Sequence, residues 1–220
     1  MRCGIMDPYA VGFSKPGELL WLDCMDRSVE HVPLDTERVR IAIADSGVRR
    51  RLAQGEFNRR VEECARAFEH LQPRVPDARC LRQVPRDVVL EAESELPAPL
   101  FRRARHVVEE VERAFAARDA LVSGDLEAFG RSMTAAHESL RDLFEVSIPE
   151  LDALIDEAHG WPGVLGGRLT GAGFGGCVVL MLERDACDGF ADFLAQRFEA
   201  RFGTRPPVEF FRSVGGPREV

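Results

Sequence analysis

Lysine is all but absent: Lys15 stands alone among 220 residues, and the other basic side chains, five histidines apart, are arginines. Arginine's planar fork suits phosphate. A GC-rich gene produces the same bias, so the imbalance assigns no ligand by itself. No uninterrupted apolar run approaches the 18 or so residues of a membrane helix, which excludes a spanning helix. Near Met1, Asp7 and Pro8 interrupt before an apolar stretch of about 7–15 residues can form, so a secretory leader is not expected. The six cysteines, at 3, 24, 64, 80, 177 and 187, include no CxxC pair, and the histidines include no HxxxH. A structural zinc site is therefore not expected. The thiols read as reduced and partly buried, as in a cytoplasmic protein. Positive charge is also short. Lys and Arg number 29 against 37 Asp and Glu, a formal charge of −8. That balance disfavours general nucleic-acid binding, although backbone N–H groups and arginines can still hold a small anion locally.

What remains is an ordinary globular composition, 45% apolar and 30% charged, long enough for one to one and a half domains. Leu19–Leu22 reads as a buried strand. Val39, Ile41 and Ile43 alternate with smaller or polar residues, which predicts a strand over 39–45. From Glu56 the period becomes helical, with Phe57, Val61, Cys64, Phe68 and Leu71 as the apolar stripe and Pro73 as the stop. Residues 73–100 read as irregular, with a short helix near Pro85. A long helix follows, carrying Val107, Val108, Val111 and Phe115 and ending at Gly124. Asp125 is a natural N-cap for the next helix, whose stripe is Leu126, Phe129, Met133, Ala136 and Leu140. Another helix runs from Ser147 to His159. The tail reads as a strand over 163–170, a glycine-rich loop, a strand over 177–182, a helix over 185–202 and a strand over 208–211. This order predicts an α+β fold, an antiparallel sheet with helices on one face.

Gly171 to Gly176 fits GxGxxG as text. The dinucleotide fingerprint must open a helix, and here the next residues, Cys177 to Leu182, read as a strand. No GxxxxGK[ST] is present either, which excludes a P-loop. Two readings remain for the loop: a hairpin turn whose glycines supply positive φ, or a bare backbone that a ligand approaches closely. Four glycines in six residues exceed what a hairpin needs. Asp7 also has two readings, a helix cap before Pro8 or a catalytic carboxylate. Arg59, Arg60, Glu62 and Glu63 read as a solvated helix face with i,i+3 pairing.

Several stretches in one order resemble galactokinases, members of the GHMP small-molecule kinases. They are Cys-Gly-Ile-Met-Asp at 3–7, Gly-Glu-Phe-Asn-Arg-Arg-Val-Glu-Glu-Cys at 55–64, and Leu-Thr-Gly-Ala-Gly-Phe-Gly-Gly-Cys at 169–177. The stretches at 103–108, 137–142 and 149–152 are similar too. The resemblance implies a GHMP-kinase C-terminal domain over 37–220, with a ferredoxin-like antiparallel sheet and extra helices, and a remnant of the N-terminal domain over 1–36. It implies ATP-dependent phosphorylation of galactose at its C1 hydroxyl, with ATP and Mg2+ as cofactors and a cytoplasmic location. By the same resemblance Asp7 is the carboxylate facing that hydroxyl, Phe57, Gly171 and Gly173 lie at the sugar, Gly175 and Gly176 lie near the site, and no nucleotide-binding residue is identified. At Phe57 the family pattern usually carries a tyrosine, and at Pro8 a glutamine. The family's early sugar-recognition segment and its Gly-Leu-Ser-Ser-Ser phosphate loop do not occur in this chain. A missing N-terminal fragment is therefore an expected partner, no metal ligand is assigned, and the sheet near Leu19–Leu22 is expected to be bare. Two alternatives stand beside this reading: another sugar kinase of the superfamily, or a non-catalytic sugar-sensing or interaction protein derived from one.

Overall fold

The computed structural model describes residues 4–49 and 53–212. The chain opens with helix α1 (Met6–Phe13), then strands β1 (Glu18–Leu22) and β2 (Val29–Pro33), which pair antiparallel as a hairpin. Strand β3 (Val39–Asp45) follows. Four helices come next: α2 (Ala53–Leu71), α3 (Arg86–Glu91), α4 (Ala98–Val122) and α5 (Leu126–Asp142). Helix α6 (Pro149–Ala158), β4 (Val164–Leu169), β5 (Cys177–Glu183), α7 (Phe190–Phe202) and β6 (Val208–Phe211) complete the order. Strand β2 escapes the sequence reading, because Val29-Glu30-His31-Val32-Pro33 ends in a proline and holds only two apolar positions. The final helix starts at Phe190, since Gly189 has φ +80° and breaks it from the short turn at 184–186.

The four later strands form one antiparallel sheet in the order β4-β5-β3-β6. Numbered by their own succession in the chain, that is the ferredoxin-like order, as expected. The glycine-rich segment joins two antiparallel strands, β4 and β5, and does not open a helix.

Helices cover both faces of this sheet, not one. Strand residues alternate between faces, and both sets are apolar here. Ala42, Ala44, Val178, Leu180 and Leu182 pack beneath Leu151, Leu154 and Ile155 of α6 and Phe190, Leu194 and Phe198 of α7. Val39 and Met181, on the other face, pack with Leu121 of α4, Leu126 and Met133 of α5, and Val32 and Leu34 from the hairpin side. Helix α5 lies very close to β4. A Cβ on Gly130 would run into the backbone of Leu165, and one on Gly166 into the backbone of Gly130. The Asp125 cap is present: its carboxylate accepts from the Ala128 N–H at 2.8 Å. A third core contains no strand, with Ala67 and Leu71 of α2 and Val89 of α3 against Leu100, Phe101, Ala104 and Val108 of α4, and Ala78, Val84 and Leu96 of the connecting segments filling in.

Candidate functional site

Asp7 lies in the first turn of α1 and is exposed. It does not cap the helix. Ile5 occupies the cap position without a side-chain bond, and the helix starts at Met6 rather than Pro8. The carboxylate is thus left to face outward. Around it α1 presents Met6, Val11 and Phe13, each more than half exposed at 56%, 63% and 51%. Below, Leu19 and Trp21 turn into the sheet-side core. Leu20 and Leu22 point to the opposite side of the hairpin and are half-buried. All four residues of 19–22 are half-buried, so the bare surface expected there is not found; the exposed apolar side chains of this segment lie on α1 and at Val29 instead.

Phe57 sits near the start of α2 and is 38% exposed; Val61, one turn on, is also exposed. The buried face of α2 meets the predicted apolar stripe only in its second half, where Leu71 is buried and Cys64 and Phe68 pack against the helical core. It runs through Arg60, Glu63, Ala67 and Leu71. Arg60 and Glu63 are buried ionic groups and no solvated face. Arg103 of α4, 1% exposed, meets them: its Nε donates to Glu63 Oε2 at 2.7 Å and its Nη2 to Glu145 Oε2 at 2.5 Å. Burial pushes the Glu63 carboxyl up, but the Arg103 hydrogen bond and charge, with Arg60, outweigh it and hold the group below its usual range. Glu145 is held down in the same way, with Arg103 and Arg102 opposing its burial.

The glycine loop is shaped by protein neighbours. Gly171, Gly173, Gly175 and Gly176 all have positive φ, as does Phe174 at +58°. A side chain at Gly173 would strike the Val146 backbone, and a Cβ at Gly175 would lie 2.7 Å from the Val48 carbonyl oxygen. At those two positions the space a side chain would fill is taken by Val146 and Val48, so glycine is required there by the packing of neighbouring loops. Around Gly176 the space is open. Two anchors fix the loop: the Phe174 N–H donates to Val146 O at 2.5 Å, and the Gly176 N–H to Val48 O at 3.1 Å. Ser46 adds a third contact, its Oγ donating to Gly176 O at 2.7 Å.

Phe57 and the loop are joined through α2, because the Arg60 guanidinium lies 5.9 Å from the Phe174 ring centre. Among the described residues, no hydrogen bond, ion pair or ring contact joins Asp7 to Phe57 or to the loop. The residues that hold the loop, Val48, Ser46, Val146, Arg60 and Arg103, escape the sequence reading. Arg60 and Glu63 on α2 and Arg103 on α4, charged residues on faces that otherwise carry apolar ones, are the one signal that could have found them.

Two buried histidines lie behind the loop. His106 Nδ1 is 2.8 Å from Ser139 Oγ, and the ring stacks on Phe144 at 4.5 Å. Burial, helped by Arg113, Arg168 and Arg103, holds His106 down to about 4. His137 Nδ1 accepts from the Leu169 N–H at 3.3 Å, and its Nε2 lies 3.2 Å from Asp152 Oδ1. The described cysteines, 24, 64, 80, 177 and 187, are all unpaired. Cys3 lies outside the described residues. Burial pushes the Cys64 thiol up to about 11, so it is inert at neutral pH.

Residues 117–200 match the family described as GHMP kinases C terminal. The L. major mevalonate kinase shares this fold at a TM-score of 0.51 and 18% identity. The sheet, its helices and the glycine loop are thus those of a GHMP-kinase C-terminal domain. Within that fold the chain is similar along its whole length to the C-terminal portion of galactokinases. It is 40% identical over its whole length to the galactokinase of Roseiflexus sp. (strain RS-1), covering 56% of that protein. It is 41% identical to that of Exiguobacterium sibiricum, again over its whole length and 56% of the relative. The structure of Lactococcus lactis galactokinase complexed with galactose superposes with a TM-score of 0.92 at 32% identity, over 98% of this chain and 56% of that one. The chain spans a little over half the length of these relatives.

Proposed function

We propose that this chain supplies the C-terminal part of a galactokinase site, in which galactose is phosphorylated at its C1 hydroxyl by ATP. One observation carries the reading: the likeness to galactokinases runs through the whole chain, and the matched structure is a galactose complex. In this reading Asp7 faces the sugar hydroxyl as general base or as the charge that stabilises the attacking oxygen. Phosphoryl transfer asks mainly for positioning and charge neutralisation, so an outward carboxylate on a short helix is a fitting contribution. Phe57, Gly171 and Gly173 lie at the sugar side, and Gly175 and Gly176 near the site. The reading divides the chain at 36, with 1–36 belonging to the kinase N-terminal domain and 37–220 to the C-terminal domain.

ATP is the phosphate donor in this proposal, and Mg2+ accompanies ATP in such reactions. Among the described residues no group of three or more His, Cys, Asp or Glu could hold a metal ion. The rest of the site belongs to the N-terminal part of a galactokinase. We assign its docking surface to the exposed apolar side chains of α1 and the outer face of β1 and β2. A cytoplasmic location, where ATP is made and spent, belongs to the same proposal. No helix among the described residues is long and apolar enough to cross a membrane.

A coupled ADP-release assay with galactose and MgATP tests this. The 220-residue chain alone is expected to be inactive, since one general base contributes only about 10²–10⁴-fold against the 10⁶ or more of an enzyme. Adding the N-terminal part of a galactokinase is expected to restore turnover, and Asp7→Asn to remove it. Turnover that persists in Asp7→Asn would overturn the role of Asp7. No turnover in the combined parts would overturn the kinase reading in favour of a sugar-sensing module.

A further inference from the structure

We infer that Arg60 and Arg103 are positioning residues for the glycine loop, acting through the turn at 143–146. The turn leaves the C-terminus of α5, where carbonyls lack helical partners and the dipole favours cations. Each of its first three carbonyls is taken by a guanidinium. Arg103 Nη1 donates to Leu143 O, Arg60 Nε to Phe144 O at 2.7 Å, and Arg60 Nη2 to Glu145 O at 2.9 Å. The fourth, Val146 O, receives the Phe174 N–H of the loop. Four successive carbonyls thus form a relay from two buried arginines to the middle of residues 171–176.

The turn needs this restraint. Glu145 has φ +56°, a left-handed conformation that a non-glycine residue adopts at a cost. Its carboxylate is drawn back over the turn by Arg103 Nη2 and by Arg102 Nη2 at 2.8 Å. Glu63 fixes the two arginines relative to each other, accepting from Arg103 Nε at 2.7 Å and from Arg60 Nη1 at 3.3 Å. Burying so many charges is expensive and does not by itself favour stability. The geometry gives them a different role, because the planar fork of Arg60 holds Phe144 O and Glu145 O at fixed spacing and direction, whereas a lysine ammonium is a point charge on a flexible stem. The second anchor, from Gly176 to Val48, does not pass through this cluster. The loop therefore has two separable restraints, and the arginines govern one. Its consequence for catalysis rests on the kinase reading above; its consequence for the loop does not.

The test is amide hydrogen exchange on the 220-residue chain, comparing wild type with Arg103→Lys and Glu145→Gln. Arg103→Lys keeps the charge and removes the fork; Glu145 is on the rim, so its glutamine variant should fold. The Phe174 amide is expected to exchange at least about tenfold faster in both, as local opening becomes easier. The Gly176 amide and the Leu180 amide in β5 are expected to stay within about twofold of wild type on the same local-opening logic. Unchanged Phe174 exchange, or Phe174, Gly176 and Leu180 accelerating together, would overturn the inference, the latter meaning a general stability role. In the combined-parts ADP assay, Arg103→Lys is expected to lower kcat more than it raises KM for galactose. A lowered melting temperature of the whole fold with kcat unchanged would contradict it. If the wild-type parts give no turnover, the kinase reading fails while the exchange result still decides the inference.

Discussion

The sheet formed by β3 to β6 and the segment formed by α1, β1 and β2 use apolar residues in opposite ways. In the sheet, Ala42, Leu180 and Leu182 on one face and Met181 on the other are all fully covered. In the N-terminal segment, Met6, Val11, Phe13 and Val29 stand exposed, and no residue of α1 is buried. Both regions obey the same hydrophobic accounting. The first closes it within this chain, and the second leaves apolar side chains in solvent, the surface proposed above to receive the rest of the kinase. The contrast teaches where stability and function are separable. Changes in the sheet should cost folding, whereas changes around Asp7 should cost catalysis in the assembled site and leave the fold alone.

The strongest way to sharpen that contrast is Gly166→Val. Its side chain has nowhere to go but into the backbone of Gly130, and overpacking of that kind should cost at least about 3 kcal/mol, measured by urea unfolding. Next comes acidification. His106 in the unfolded chain titrates near 6.5 and in the fold near 4. The unfolded chain therefore takes up the proton first as pH falls. The contribution is complete above pH 6.5 and lost on the way down to about 4, amounting to about 3 kcal/mol. Glu63 and Glu145, held below their usual range, add a loss of the same sign at lower pH. Unfolding midpoints against pH check both, and His106→Gln should flatten the upper part of the curve.

Asp7→Asn should leave the melting temperature unchanged and reduce turnover of the combined parts by about 10²–10⁴-fold. Phe57→Tyr, at a half-exposed position on α2, should lower KM for galactose in that assembly by up to about 1 kcal/mol equivalent, one neutral hydrogen bond. The smallest effect is expected from Val11→Ser on the exposed face of α1, where Val11 is 63% exposed, within about 0.5 kcal/mol of wild-type stability for the chain alone. A large loss there would mean that the N-terminal segment is as closed as the sheet.

The sheet was legible because its strands are short apolar runs bounded by glycines, and because alternation in β3 has period two. Helices α5, α6 and α7 were legible from clean apolar stripes that match the buried residues. Helix α2 misled the reading because periodicity is blind to a buried charge. Phe57 and Val61 continue the apolar stripe, yet Arg60 and Glu63 are the ones that turn inward. That inward face depends on Arg103, 40 residues away in the chain, and on carbonyls at 143–145, which no local pattern announces. Both-sided coverage of the sheet was missed for a related reason: β5 is apolar at nearly every position, which periodicity cannot assign to one face. Of the site, Asp7, Phe57 and the glycine loop were marked by motif resemblance. The loop's anchors on Val48 and Val146 are backbone contacts and leave no trace in residue type.

The central claim is that α1 and the β1–β2 hairpin form the open face on which the rest of a galactokinase sits. Amide exchange on this chain, with and without the N-terminal part of the Roseiflexus relative, tests it most directly. The account predicts that amides in residues 6–13 and 18–22 slow by at least about tenfold on mixing, while those of β5, already protected, do not change. Unchanged exchange in α1 and β1, or slowing confined to the outer surfaces of α4 and α7, would contradict it.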